Sequence, residues 1–307
     1  MAKTQTLKLP DGRTLSYGVY GANSPTASLT VFYFHGFPSS HHEASTLDEL
    51  ARTRDIRVVA PDRPGMNRST FQLGRTIVDW PKDVLALADH DDIRADTFAV
   101  VGTSGGAPYA LACCAAIPNT RLKCAAIVSG LYPASLGTEG MMALSKMMLW
   151  LAPWSTALVE GILDWTLGHK VSHTTDPAKL EEILGSGMEG RPEQDKRAWE
   201  ANERGLRQML VATAQHAFPD GSAHGAAWEA RLNGSPWGFQ LEDVKIDDGK
   251  LILWHGGKDI NSPLGMTEKA HVLLKGSELR LDPDEAHMSL FLHKLPEVLD
   301  TLKERAA

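Results

Sequence analysis

The 307-residue chain has little cysteine: only Cys113, Cys114 and Cys124 occur. The number is odd, and two of the three are adjacent within a run of small apolar residues that is typical of a buried helix. A framework of disulfide bonds is therefore not expected, and a reducing compartment is favoured. We accordingly predict a cytoplasmic protein.

Long uncharged apolar runs are also missing. The most apolar stretch, residues 141–167, is interrupted by Lys146, by Pro153 and by two acidic residues, so it offers no uncharged segment long enough to span a bilayer. Residues 1–10 contain neither an apolar signal core nor an Arg-rich amphipathic pattern. The sequence therefore predicts no membrane span and no N-terminal targeting segment.

Positive charge is in the minority, with 31 Lys and Arg against 38 Asp and Glu, for a net charge of −7. Nucleic acid is therefore not an expected partner, because binding to a phosphate backbone needs a concentrated basic face. A composition of 43% apolar and 22% charged residues is that of a globular protein with ample core. We expect a small-molecule substrate and a monomer or homodimer.

Short apolar runs alternate with helical patterns along much of the chain. Runs of strand length occur at 29–34, 56–60, 97–101 and 125–128, and the alternation resumes at 251–255 and 278–281. Repeated strand-then-helix units predict a parallel sheet with helices on both faces. The Asp11-Gly12 pair, between apolar segments 7–9 and 14–20, predicts an antiparallel hairpin ahead of these units.

The strand signal disappears over residues 134–247, which we call the insert. Its patterns predict helices at 144–150, 156–167 and about 193–211. The domain prediction is a core formed by 1–133 and 248–307, with the insert as a second, helical unit. The insert holds six of the eight Trp and six of the ten Met. These side chains either pack the insert onto the core or line a pocket for an apolar ligand.

The most informative motif is G-T-S-G-G at residues 102–106, a G-x-S-x-G that follows one predicted strand and opens a predicted helix. A sharp strand-to-helix turn leaves no room for side chains two positions before and after the serine, hence the glycines. The turn places the Ser104 hydroxyl at the carboxyl end of the strand, beside the positive end of the next helix. The motif therefore predicts Ser104 as a nucleophile.

With this motif, an H-G-F-P segment at 35–38 and an S-G-G-x-P-Y-A-L-A segment at 104–112, the chain resembles the α/β-hydrolase family, and most of all its fungal and bacterial members with these two segments. The resemblance covers most of the chain and leaves out only the insert, which is similar to the family's cap. It implies the α/β-hydrolase fold: a mostly parallel sheet, an N-terminal antiparallel hairpin and a helical cap inserted after strand 6.

The family's triad runs Ser, then Asp or Glu, then His. Asp259 lies four residues beyond the predicted strand 251–255, and His287 follows the last predicted strand. The resemblance thus implies that Asp259 orients His287 and that His287 is the general base for Ser104. Relatives usually carry glycine where Ala286 precedes the histidine, so the geometry of that loop is in question.

Acyl transfer also needs hydrogen-bond donors for the oxyanion of the tetrahedral intermediate. The resemblance nominates two backbone N–H groups: that of Gly105, directly after the serine, and that of Phe37 in the H-G-F-P loop. Each is expected to contribute about 100- to 1,000-fold in rate.

Three further patterns indicate structure and no additional chemistry. Ser40 and Glu43 have the spacing of a helix capping box. The pairs His41/His42 and His169/His173 lack a third ligand at a convincing spacing, so no metal is predicted. The Gly102–Gly106 cluster has the spacing of neither a dinucleotide fingerprint nor a P-loop, so no cofactor is predicted.

The leading hypothesis is a serine hydrolase that cleaves a carboxylic ester, lactone or thioester of a small, largely apolar substrate through an acyl-enzyme on Ser104. Serine at the nucleophile position argues against the dehalogenase and epoxide hydrolase branches of the fold, which need a carboxylate there. Acyl transfer, amide or peptide cleavage, C–C bond hydrolysis and cofactor-free peroxidation stay open, because fold and triad do not separate them. A non-catalytic receptor for a small ligand is the alternative from another class.

Overall fold

A computed structural model of the chain describes residues 3–24, 26–174 and 176–307. In this part of the chain eight strands form one sheet. They are β1 (Gln5–Lys8), β2 (Thr14–Gly21), β3 (Leu29–Phe34), β4 (Ile56–Pro61), β5 (Phe98–Thr103), β6 (Leu122–Val128), β7 (Leu251–Gly256) and β8 (Glu278–Asp282).

The sheet is parallel except at one edge. The strand order is β1-β2-β4-β3-β5-β6-β7-β8, with antiparallel pairing for β1/β2 and β2/β4. The β1/β2 ribbon turns at Asp11-Gly12, where Gly12 has a φ of +86°, a conformation that costs glycine little. The predicted mostly parallel sheet with an N-terminal antiparallel hairpin is confirmed.

The central strands are buried on both faces. Every residue of β3, β4, β5 and β7 is buried, as expected for parallel strands covered by helices on each side. Alternate side chains enter different cores: Phe32 and Phe34 lie in one, and Val31 and Tyr33 in the other. The near-continuous apolar runs of the sequence follow from this double burial.

Helices account for most of the remaining described residues. The α-helices assigned there are α1 (Asp48–Arg52), α2 (Trp80–Ala88), α3 (Ala107–Ala116), α4 (Ala143–Leu151), α5 (Thr156–Leu163), α6 (His169–Ser172), α7 (Pro177–Ser186), α8 (Glu193–Glu200), α9 (Leu206–Ala217), α10 (His224–Gly234), α11 (Leu264–Leu273) and α12 (His287–Ala306). Helices α4 to α10 belong to the insert, which leaves the sheet after β6 and returns at β7. No helix of the described residues has both the length and the apolar character to cross a membrane.

The insert departs from prediction at two places. The single charged helix expected at 193–211 is wrong: α8 and α9 are separate, because Asn202, Arg204 and Gly205 adopt left-handed conformations with φ of 48°, 50° and 72°. The helix expected at 156–167 is α-helical only as far as Leu163. A π-helical turn at Asp164–Gly168 follows it directly.

Buried contacts join the insert to the core. Glu229 of α10 forms a fully buried ion pair with Arg63, which follows β4. His216 of α9 stacks on His42 with 4.1 Å between ring centroids, and burial lowers the pKa of His42 to about 4. Asp195 of α8 accepts hydrogen bonds from the first turn of α12, at the Met288 and Ser289 nitrogens. The insert is thus fastened beside the carboxyl edge of the sheet.

Candidate active site

Ser104 occupies a strained turn between β5 and α3. Its φ is +51°, a left-handed value that is uncommon for a residue with a side chain. A Cβ at Gly102 would lie 2.7 Å from the Gly106 carbonyl oxygen, and one at Gly106 would collide with the Phe34 carbonyl oxygen. The predicted strand-turn-helix, with glycine required on both sides, is confirmed. The nucleophilic role of Ser104 stays a prediction.

The other predicted triad residues lie at the same edge of the sheet. Because β5, β6, β7 and β8 are parallel neighbours, the loops that follow them lie side by side. Asp259 follows β7 and His287 follows β8, and the Asp259 Oδ2 atom is 2.7 Å from the His287 Nδ1 atom. Among the described residues the Ser104 hydroxyl makes no hydrogen bond, so the structure joins the acid to the histidine but not the histidine to the serine. Such bonds are often long before substrate binds.

The Asp259 carboxylate is fully buried and held on both oxygens. Oδ1 accepts hydrogen bonds from the Asn261 and Ser262 nitrogens at 2.8 and 2.9 Å, which leaves Oδ2 for His287. Burial by itself would raise the pKa of Asp259, but His287, the nearby His255 and the Ser262 backbone donor outweigh it and hold the pKa below its ordinary value. The lowered pKa favours the ionised carboxylate, which contacts the His287 ring through Oδ2. The role of Asp259 as the orienting acid stays a prediction.

His287 begins α12, and its side chain is 12% exposed. Burial by itself would lower the pKa of His287, but the carboxylates of Asp259 and then Asp195 outweigh it, so the pKa lies above its ordinary value of 6.5. Ala286, where relatives usually have glycine, has a φ of −108°, a value open to any residue. The methyl group at this position therefore imposes no backbone strain.

The two predicted oxyanion donors belong to loops in contact with each other. A Cβ on Gly105 would lie 3.3 Å from the Phe37 nitrogen and 2.6 Å from the Phe37 Cβ. Within the described ranges the Phe37 N–H donates to no protein acceptor. This close approach explains why glycine follows the serine. The oxyanion role of both groups stays a prediction.

Glu43 was misinterpreted from the sequence. Ser40 makes no capping hydrogen bond to the 3₁₀ helix His41–Leu47, so the expected capping box is wrong. The buried Glu43 carboxylate instead accepts the Gly36 N–H at 2.9 Å and the hydroxyls of Ser39 and Tyr33. Glu43 thus anchors the loop that carries Phe37.

Arg63 is a second anchor for the same loop. Arg63 donates from Nη1 to the His35 carbonyl at 2.6 Å and from Nη2 to the Gly36 carbonyl at 2.7 Å, while Glu229 of the insert neutralises its charge. Sequence reasoning missed both partners, because Arg63 and Glu229 are 166 positions apart and no local pattern links them.

A cavity of about 560 Å³ lies between the core and the insert and includes Ser104 and Gly105 in its wall. Its described wall is mainly aliphatic and contains five methionines: Met141, Met142, Met148, Met188 and Met288. No tryptophan belongs to that wall, and Trp150, Trp154 and Trp165 are exposed. The pocket interpretation therefore applies to several methionines of the insert but not to its tryptophans.

No group of three or more His, Cys, Asp or Glu residues among the described side chains has the arrangement of a metal site.

Comparison with known proteins decides the family. Residues 30–294 match the family model for the alpha/beta hydrolase fold. The chain belongs to the α/β-hydrolase family. Membership supports hydrolase chemistry as the class of reaction. A search of curated protein sequences finds no match.

Solved structures similar to this α/β-hydrolase carry different activities. An esterase from Exiguobacterium antarcticum aligns at TM-score 0.65 and 16% identity, over 98% of this chain and 100% of the other. An enol-lactonase from Burkholderia xenovorans aligns at TM-score 0.67 and 15% identity, over 97% and 99%. A bromoperoxidase from Bacillus anthracis aligns at TM-score 0.61 and 17% identity, over 98% and 100%. At such identities the likeness shows the fold alone, so the reaction must be argued from the site.

Proposed function

We propose that this α/β-hydrolase is a serine hydrolase that cleaves a carboxylic ester, lactone or thioester of a small, largely apolar substrate through an acyl-enzyme on Ser104. The proposed triad is Ser104, Asp259 and His287. The proposed oxyanion donors are the backbone N–H groups of Phe37 and Gly105.

The reaction runs in two halves. The Ser104 oxygen attacks the substrate carbonyl while His287 removes its proton, and the resulting oxyanion is held by the two N–H groups. Collapse of this intermediate breaks the bond to the alcohol or thiol, which leaves with the proton from His287. Water, deprotonated by the same histidine, then attacks the acyl-enzyme and releases the acid and free Ser104.

The observation that carries the proposal is the buried Asp259–His287 pair at the sheet edge where Ser104 lies on its strained turn. An ionised, doubly anchored Asp259 fixes one tautomer of the imidazole, which leaves the other ring nitrogen as a proton acceptor. The unpaired Phe37 N–H next to Gly105 supports an oxyanion site. A receptor would have no need of this combination.

We further propose that the insert acts as a cap over the reacting groups, as the shared cavity between core and insert suggests. An aliphatic, methionine-rich wall suits an apolar acyl or alcohol group because methionine adapts to irregular shapes. A cytoplasmic location belongs to the same proposal, since all three cysteines are buried and free.

The test compares the wild type with Ser104→Ala on p-nitrophenyl esters of two to about twelve acyl carbons, together with labelling by a fluorophosphonate probe. We expect hydrolysis that depends on chain length, and probe labelling, both abolished in the variant. Ser186→Ala, an exposed serine on α7, is the matched control and keeps both.

The two readouts separate the alternatives. Labelling of Ser104 without turnover of any of these esters indicates an active serine with a narrower natural substrate. Absence of both labelling and turnover in the wild type contradicts a serine hydrolase and favours a receptor.

A further inference from the structure

One cation in the cavity wall has no counter-ion. Arg191, just ahead of α8, is the only charged residue that lines the described part of the cavity. Its Nη1 atom donates to the Asn261 Oδ1 atom at 2.7 Å. Its Nε atom is buried without an acceptor, and its Nη2 atom makes no hydrogen bond within residues 3–24, 26–174 and 176–307. No carboxylate of those residues forms an ion pair with the Arg191 guanidinium.

Such an arrangement is unfavourable without a ligand. A guanidinium among Met and Leu side chains has lost part of its hydration, and an opposite charge compensates that loss. Arg63, at the same core–insert boundary, shows the satisfied alternative: it binds Glu229 and two backbone carbonyls. We therefore expect the occupant of the cavity to supply the counter-ion that Arg191 lacks among the described residues.

The free edge of Arg191 defines the chemistry of that acceptor. With Nη1 held by Asn261 and Nε buried, Nη2 is the guanidinium donor that is neither buried nor hydrogen-bonded among the described residues, and its charge-assisted N–H suits a carboxylate oxygen. Asn261 presents its oxygen to Arg191, which leaves its own amide donors available on the same side of the cavity. Asn261 also donates its backbone N–H to Asp259, so the Arg191 guanidinium lies close to the proposed triad.

We propose that Arg191 is a specificity-determining residue that binds a carboxylate on the substrate, so that the preferred substrates are esters or lactones carrying a second, anionic end. This inference rests on the proposed function and narrows its substrate class. The aliphatic wall then contacts the carbon chain between the reacting carbonyl and the carboxylate.

The test uses two esters with five acyl carbons: p-nitrophenyl pentanoate, which is neutral, and mono-p-nitrophenyl glutarate, which ends in a carboxylate. We expect the wild type to prefer the glutarate, and Arg191→Met to lower the ratio of kcat/KM for glutarate over pentanoate by about 10- to 100-fold. The loss appears mainly in KM, because the carboxylate is not at the reacting centre. Arg191→Lys keeps the charge without the planar guanidinium and gives an intermediate ratio.

Arg197→Met is the matched control. Arg197 is exposed on α8, so this substitution removes the same charge at a position outside the cavity. It is expected to leave the ratio unchanged. A ratio in Arg191→Met within threefold of the wild-type value would overturn the inference while leaving the serine hydrolase intact.

A binding measurement keeps the inference testable if neither ester is turned over. Hexanoate and the uncharged hexanamide are added to Ser104→Ala and to Ser104→Ala/Arg191→Met, and the thermal midpoint is followed. We expect hexanoate to raise the midpoint more than hexanamide, and the difference to disappear without Arg191. Equal shifts by both ligands in Ser104→Ala, or a difference that persists without Arg191, would overturn the inference.

Discussion

The two sides of the cavity are built differently. On the core side, Asp259, His287 and the loop of Phe37 are fixed by buried hydrogen bonds, and most of their polar atoms have partners. On the insert side the wall is mainly aliphatic and rich in methionine. Arg191, the one charged residue in its described part, has no counter-ion among the residues that the structure describes.

This difference assigns different tasks to the two sides. Groups that must keep a fixed geometry for a reaction gain from a second shell of hydrogen bonds. Groups that select a substrate gain from unsatisfied donors, which the substrate itself completes. Under the proposed function, the core side determines the reaction and the insert side determines the substrate.

The largest expected effect is a loss of activity caused by a substitution on the core side of the cavity. Asp259→Asn is expected to lower kcat about 10⁴-fold, because an amide no longer fixes the tautomer of His287 that accepts a proton. Steady-state kinetics on the best p-nitrophenyl ester measures it. Asp284→Asn, an exposed carboxylate on the loop before His287, is the control and stays near wild type. Comparable losses in both variants would argue against Asp259 as the orienting acid.

The next effect tests the boundary between the two sides. Glu229→Leu leaves Arg63 buried without its counter-ion and is expected to destabilise the fold by about 3–5 kcal/mol in urea unfolding. The double variant Arg63→Met/Glu229→Leu removes both charges and is expected to unfold at higher urea than the single variant. Glu193→Gln breaks an exposed ion pair on α8 and is expected to change little. A stability of Glu229→Leu equal to that of the wild type would show that the ion pair does not couple insert and core.

The smallest expected effect is a shift in the pH midpoint of kcat/KM. Because the pKa of His287 is raised, kcat/KM of the wild type is expected to rise with pH through a midpoint above 6.5, where the ring loses its proton and becomes a base. Asp195→Asn removes a carboxylate that favours the protonated ring, so the midpoint moves to lower pH. Arg191→Met removes a cation that disfavours it, so the midpoint moves to higher pH. Two shifts of the same sign would contradict the electrostatic argument.

The core of the fold was predictable because its signals are local. Buried parallel strands are short apolar runs, so β3 was expected at its observed bounds, Leu29–Phe34. The insert was less predictable, because the break between α8 and α9 depends on left-handed conformations at Asn202 and Arg204. Only Gly205 marked that break in the sequence, and one glycine does not outweigh the helical pattern around it.

The candidate site divides in the same way. Ser104, Asp259 and His287 follow strands at motif positions, so the sequence placed them on one edge of the sheet. Glu229 and Arg191 contribute through partners far along the chain, at Arg63 and Asn261. Such pairs are determined by how the insert packs on the core, which no local spacing encodes.

The departure of the insert from β6 and its return at β7 have an evolutionary consequence. These two strands are parallel neighbours in the sheet, so the connection between them runs from the carboxyl edge of β6 back to the amino edge of β7. The length of the insert within that connection can change while the register of the two strands is kept. Changes in the sequence of the insert can therefore alter substrate preference during evolution without disturbing the sheet. Asp195 and Glu229 are expected to change least among the insert residues. Asp195 accepts hydrogen bonds from the start of α12, and Glu229 pairs with the buried Arg63 of the core.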